Sequence, residues 1–161
     1  MIRAPLSALL GYAAMLTVIL GGIAATWFGL GNRFAFVGDT NQASLGWSLL
    51  QLASGLAAAC VGGWLTARVA GDRASLAIKI LTAAILVLGL VSLAMHLAIT
   101  PRPLADGKTI DSLTFTEAAE FARYPVWYDA VIIVIGVLGI RVGAAVALQA
   151  GGRAGNQSPT P

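Results

Sequence analysis

The chain has 161 residues, 58% hydrophobic and 11% charged, with a net charge of +3 and a mean hydropathy of +0.83. A soluble domain carries about 25% charged residues, so this deficit excludes an ordinary water-facing surface and points to the bilayer as solvent. The basic residues are scattered between apolar runs and form no stripe, which argues against nucleic acid as a partner; the single cysteine, Cys60, excludes an intramolecular disulfide.

After Arg3, residues 6–30 form an apolar run of about 25 residues, longer than the 7–15 of a signal-peptide core, and are expected to stay as a first span. Ala13, Thr17, Gly21, Ala25 and Gly29 recur at every fourth position. In lipid, helices associate where small side chains let backbones approach, so this row is expected to face the second span. Residues 31–44 read as a polar connection with turn signals at Gly38 and Asp39. The second span, residues 47–70, has no charge before Arg68 and supplies about 20 residues, enough to cross roughly 30 Å of hydrocarbon. Gly55, Ala59, Gly63 and Ala67 make it the expected packing centre of the molecule. Gly71 fits a C′ position and Asp72 an N-cap, which predicts a tight turn into the third span, residues 75–99.

Pro101 and Pro103 end that helix. Thr114 and Glu117 have capping-box spacing, and a short amphipathic helix is expected over about residues 115–123, lying in the headgroup layer. Pro125 opens the fourth span, residues 126–147, in which Gly139 and Gly143 repeat the small-residue theme. Residues 1–150 thus form one domain, and residues 151–161 a disordered tail. With both termini inside, Arg3, Arg68, Arg73, Lys79, Arg141 and Arg153 flank the spans on the cytoplasmic side. Arg33, Arg102, Lys108 and Arg123 lie outside, a modest positive-inside bias. Trp27, Trp47, Trp127 and Tyr128 are expected to form an outer aromatic belt. Arginine outnumbers lysine and Gly and Ala abound, as in a GC-rich bacterial genome, so the expected location is a bacterial inner membrane.

Ionisable groups inside membrane helices are functional candidates, because burying them is costly. Trp27, Gln51, His96 and Asp129 each lie about one turn below the outer surface, one from each span. Converging, they would form a ligand-binding pocket for a polar headgroup or quinone-like ring, with Asp129 accepting a hydrogen bond from His96. Arg141, with residues 130–140 and their roughly 16 Å of helix between it and Asp129, is expected to snorkel to the inner interface. Catalysis is not expected, since His96 has no Ser or Cys partner at its depth. No metal or other cofactor is expected either, one histidine with one aspartate being too few ligands for zinc.

The end of the second span, Gly62-Gly63-Trp64-Leu65-Thr66-Ala67-Arg68-Val69-Ala70-Gly71, and the Pro125-Val126-Trp127-Tyr128 start of the fourth resemble small uncharacterised four-helix bacterial inner-membrane proteins. The resemblance implies a fold and a location and carries no activity. The expected fold is all-α, an integral membrane four-helix bundle. The expected role is a non-enzymatic subunit or accessory protein that packs against another membrane protein or itself, as a homo-oligomer, through its small-residue faces. The alternative is a small transporter or lipophile-binding protein using the outer pocket.

Overall fold

In hydrocarbon every backbone amide must find its partner within the segment, so apolar runs of this length become helices. The computed structural model describes residues 2–98 and 108–155. Four long helices dominate: α1 (Arg3–Leu30), α3 (Leu45–Ala70), α4 (Ala74–Ala98) and α6 (Val126–Gly155). Two short ones, α2 (Asn32–Ala35) and α5 (Phe115–Phe121), lie in the connections. Three stretches are long and apolar enough to cross a membrane: Arg3–Leu30, Leu45–Ala98 and Val126–Ala150. The middle one contains both α3 and α4, divided by a 3-10 turn at Gly71–Arg73. Gly71 sits there at φ +54°, a conformation that a side chain would strain. Asp72 falls inside that turn and does not cap α4, contrary to the sequence expectation. At the other end α6 continues to Gly155, so the expected tail boundary at 151 lies within the helix, and residues 156–161 fall outside the described part.

α3 is the centre of the bundle, packed along α1 on one side and α6 on the other. Its register with α6 is parallel: Trp47 meets Tyr124, Gly55 meets Ile132 and Gly63 meets Ile140. Here the two backbones touch. A Cβ built on Gly63 would fall on the main chain of Ile140, and one on Gly143 on the carbonyl of Cys60. Gly139 fits against Ala59, and Ala59 and Ala67 are buried. Gly55, Ala59, Gly63, Gly139 and Gly143 therefore all serve the α3–α6 contact inside one molecule.

The small row of α1 behaves otherwise. Ala13, Thr17, Gly21, Ala25 and Gly29 are exposed, and nothing lies within 4 Å of a Cβ on Gly21 or Gly29. α1 meets α3 through Ser7, Gly11, Met15 and Gly22, with Thr66 donating its hydroxyl to the Ser7 carbonyl. The reason is angular: two residues of offset at 100° each turn the row that begins at 13 to the opposite face from Gly11.

The connections are not solvated loops. α2 and the following chain fold onto residues 108–124, and together they form a cap over one end of the bundle. The Asn32 amide donates to the carbonyls of Ile110 (2.9 Å) and Leu113 (3.0 Å), and Arg33 grips Asp111 with two hydrogen bonds. Ala43 donates its N–H to the Arg123 carbonyl, and Arg123 donates to that of Asn41. Beneath this net lies a separate core of Trp27, Phe36, Trp47, Ile110, Leu113 and Ala118. The expected capping box between Thr114 and Glu117 is present, and α5 turns its apolar face into this core. Trp27 and Trp47 are likewise buried in the cap, while Trp127 stays 43% exposed.

Gly63→Leu is expected to destabilise the folded protein by about 1–3 kcal/mol or more, because Ile140 main chain cannot yield as a side chain would. Gly21→Leu on the exposed α1 row is expected to stay within about 0.5 kcal/mol of wild type. Thermal unfolding of the two variants in one detergent checks both values, and equal midpoints would contradict the assigned packing.

Candidate functional site

His96 lies near the C-terminal end of α4 and Asp129 in the first turn of α6. These helices run antiparallel, with Gly89 against Ile133 and Gly136 against Ile85, and that register brings the two side chains to one level. Nδ1 of His96 stands 2.9 Å from Oδ2 of Asp129, with the side chains 23% and 13% exposed. The contact is close enough for an ion pair, yet the ring N–H is not aligned for a hydrogen bond, and Oδ2 is left without a donor. The expected approach of His96 to Asp129 is present, without an aligned hydrogen bond.

Gln51 reaches the same level from α3. Its neighbours Trp47 and Gly55 meet Tyr124 and Ile132, so Gln51 stands opposite Tyr128, one residue before Asp129. It is 4% exposed, and its Nε2 has no hydrogen-bond partner. Among the described residues, Gln51 Nε2 and Asp129 Oδ2 are the two buried side-chain polar atoms in this condition. Leaving an atom such as Gln51 Nε2 unmatched costs on the order of 1–3 kcal/mol, whereas Asp129 Oδ2 has His96 Nδ1 at 2.9 Å.

Trp27 is placed elsewhere. It stands edge-on to Trp47 (6.1 Å between ring centres) and to Phe115 (5.8 Å), in the wall of an apolar cavity of about 220 Å³ between bundle and cap. Phe36, Ala118, Ala122 and Tyr124 line it as well. The indole N–H of Trp47 donates to the Tyr124 hydroxyl at 2.8 Å, tying the cap to α3 at the cavity wall. Burial raises the Tyr124 phenol above its ordinary pKa, partly offset by that hydrogen bond, so it is a neutral donor at physiological pH. Gln51 lies one helical turn below Trp47, beneath this cavity. Tyr124 is the residue that sequence reasoning missed; its place depends on the fold of the cap.

On the far side of Tyr124 is a second, more polar cavity of about 280 Å³, lined by Gln42, His96, Arg123, Tyr124, Pro125 and Val126. Among the described residues no group of three or more His, Cys, Asp or Glu is arranged to hold a metal ion. Arg141 is exposed on the outside of the bundle, as snorkelling requires. No protein family, characterised protein or solved structure matches the chain.

The cap is fastened by ion pairs with a defined acid limit. The Lys108 ammonium, followed by the amide and hydroxyl of Thr114, holds the Glu117 carboxyl down from the usual 4.5 to about 2. Asp111 is lowered by its hydrogen bonds from Arg33. A depressed carboxyl stabilises the fold fully above its unfolded value, and the contribution disappears as pH falls through the folded one. The cap is therefore expected to stay closed at pH 5 and to loosen between about pH 4 and 2, read as a red shift of Trp27 and Trp47 fluorescence. Lys108→Gln should move that transition to higher pH; an unmoved transition would detach Glu117 from the fastening.

Proposed function

We propose that this chain is a four-span integral protein of the bacterial inner membrane, non-enzymatic, that binds a small lipophile at its capped outer end. The observation that carries the reading is the aromatic cavity under the cap, with Gln51 Nε2 buried without a hydrogen bond one helical turn along α3 from Trp47 in its wall. An apolar wall with a few convergent polar atoms is the usual make-up of a small-molecule site. The occupant that suits it has an apolar body for the Trp27–Trp47–Phe36 cavity and a polar atom reaching down toward Gln51.

Gln51→Leu separates this from a merely imperfect core. Removing an unmatched amide should raise thermal stability by about 1–2 kcal/mol, while the small apolar molecules retained on extraction into mild detergent decrease. Thermal unfolding of wild type and variant reads the first, and native mass measurement the second. Higher stability with unchanged retention would leave the amide without a ligand and end the reading.

Four crossings with inside termini are supported by the antiparallel turn at Gly71–Arg73 and by the register of basic and aromatic residues. Tyr12, Trp64, Lys79 and Arg141 come to one level, with Arg68 over the Trp64 ring, as expected at an inner interface. From Arg141 up to Tyr124 is seventeen residues, about 26 Å, so the cap, with Asp129 about 8 Å beneath it, comes near the outer boundary of a core roughly 30 Å thick. In a Cys60→Ser background, Asn41→Cys should react with a membrane-impermeant maleimide in intact cells, and Asp72→Cys only after permeabilisation. Labelling of both without permeabilisation would refute the crossing of α3.

A second reading, a subunit that packs against another membrane protein or a second copy, is favoured by the exposed α1 row at Ala13, Thr17, Gly21 and Ala25. The small rows of α3 and α6 no longer support it, since the α3–α6 contact uses them. The resemblance to small four-helix inner-membrane proteins fits either reading.

A further inference from the structure

The second cavity, across Tyr124 from the apolar one, has features that the lipophile reading leaves unused. Arg123 is fixed there by its main chain, whose N–H and carbonyl bond to Asn41 and Ala43, so its side chain starts from a set position at the rim. Among the described residues its guanidinium has no carboxylate partner, whereas Arg33 and Lys108 each have one. His96 turns Nδ1 to Asp129, which leaves Nε2, on the other edge of the ring, for the cavity. The Tyr124 hydroxyl already accepts from Trp47 and has its own proton to give. Pro125 and Val126 complete the lining with the N-terminal start of α6, whose dipole adds positive potential. The Asp129 carboxylate, with Oδ2 2.9 Å from His96 Nδ1, lies a turn deeper.

We infer that this cavity binds a phosphate-type oxyanion, held by the Arg123 guanidinium, His96 Nε2 and the Tyr124 hydroxyl. Guanidinium presents a planar fork that matches phosphate oxygens, and charge-assisted hydrogen bonds of this kind are roughly twice as strong as neutral ones. The cavity lies one turn outside Asp129, at the capped end of the bundle, on the side to which the proposed topology assigns the outer headgroups. The inference deepens the lipophile reading, since the two cavities share Tyr124 as a wall: an amphiphile with its body under the cap would place its phosphate beside Arg123. It rests on the second cavity alone, so either can fail without the other.

The test uses the full chain in two arms. In the first, the protein is reconstituted in nanodiscs of equal parts phosphatidylglycerol, phosphatidylcholine and diacylglycerol, and the lipids it retains on release are counted by native mass spectrometry. In the second, inorganic phosphate is titrated onto protein in dodecyl maltoside and followed by phosphorus NMR line width. Arg123→Gln is the principal variant, because main-chain bonds hold that segment, and an unchanged unfolding midpoint verifies its fold. Preferential retention of phosphatidylglycerol over diacylglycerol, falling about tenfold in Arg123→Gln, supports the inference with a lipid source. Line broadening by inorganic phosphate that Arg123→Gln abolishes, without lipid preference, supports it with a soluble source. If neither arm responds to Arg123→Gln, the inference is overturned. If diacylglycerol is retained and displaced by Ala122→Trp while Arg123→Gln changes nothing, the oxyanion is overturned and the apolar cavity stands.

Discussion

The contact between α3 and α6 determines the rest of the architecture. Lipid tails are as apolar as the helices, so association must come from close packing, and dispersion falls off within an ångström of extra separation. Gly63 against the Ile140 main chain and Gly143 against the Cys60 carbonyl bring two backbones into touch. The pairing is parallel, and parallelism has a consequence for the chain. Having ended α3 at one side of the bundle, it must return the whole length before α6 can begin. α4 makes that return, and it is tied to α3 by a turn only three residues long. The N-terminal ends of α3 and α6 then lie at the same side, and the segments leading into them meet there.

That meeting is the cap. Residues 31–44 lead into α3 and residues 108–124 into α6, and the hydrogen bonds from Asn32 to Ile110 and Leu113 span about eighty positions of sequence. Trp47 and Tyr124, each at the start of its helix, join at the seam. The cap covers aromatic side chains that would otherwise sit at the membrane surface, and it leaves space on both sides of Tyr124. Both cavities thus follow from the direction in which two glycine-bearing helices pack.

What the sequence made legible divides along the same lines. Helix lengths, the packing role of Gly55, Gly63, Gly139 and Gly143, and the level shared by Gln51, His96 and Asp129 depend on counting along one helix, and residue spacing supplies that count. The direction each helix faces was less accessible. The α1 row at Ala13, Thr17 and Gly21 has the right period and the wrong face, because only the partner's position distinguishes it from the row at Ser7, Gly11 and Met15. Trp27 has the right depth for a belt or a pocket with His96, and it lies instead against Trp47. The cap was least visible of all. Its parts are short and polar, and their stability comes from contacts with a segment far away in sequence, which no local pattern encodes.

The polar level beneath the cap is harder to account for as architecture than as function. An apolar residue at 51 would pack between α3 and its neighbours without the desolvation that an unmatched amide incurs. A carboxylate held near hydrocarbon by a histidine it does not meet in good alignment is likewise poorer than no charge at all, since a buried pair seldom repays its dehydration. The bundle does not require either group, for its close contacts lie elsewhere along α3 and α6. In the proposed reading, a ligand with complementary atoms at that level offsets the cost. Among the described residues, the chain places a buried amide without a partner and a buried carboxylate beside a histidine at one level, under the end that it also covers.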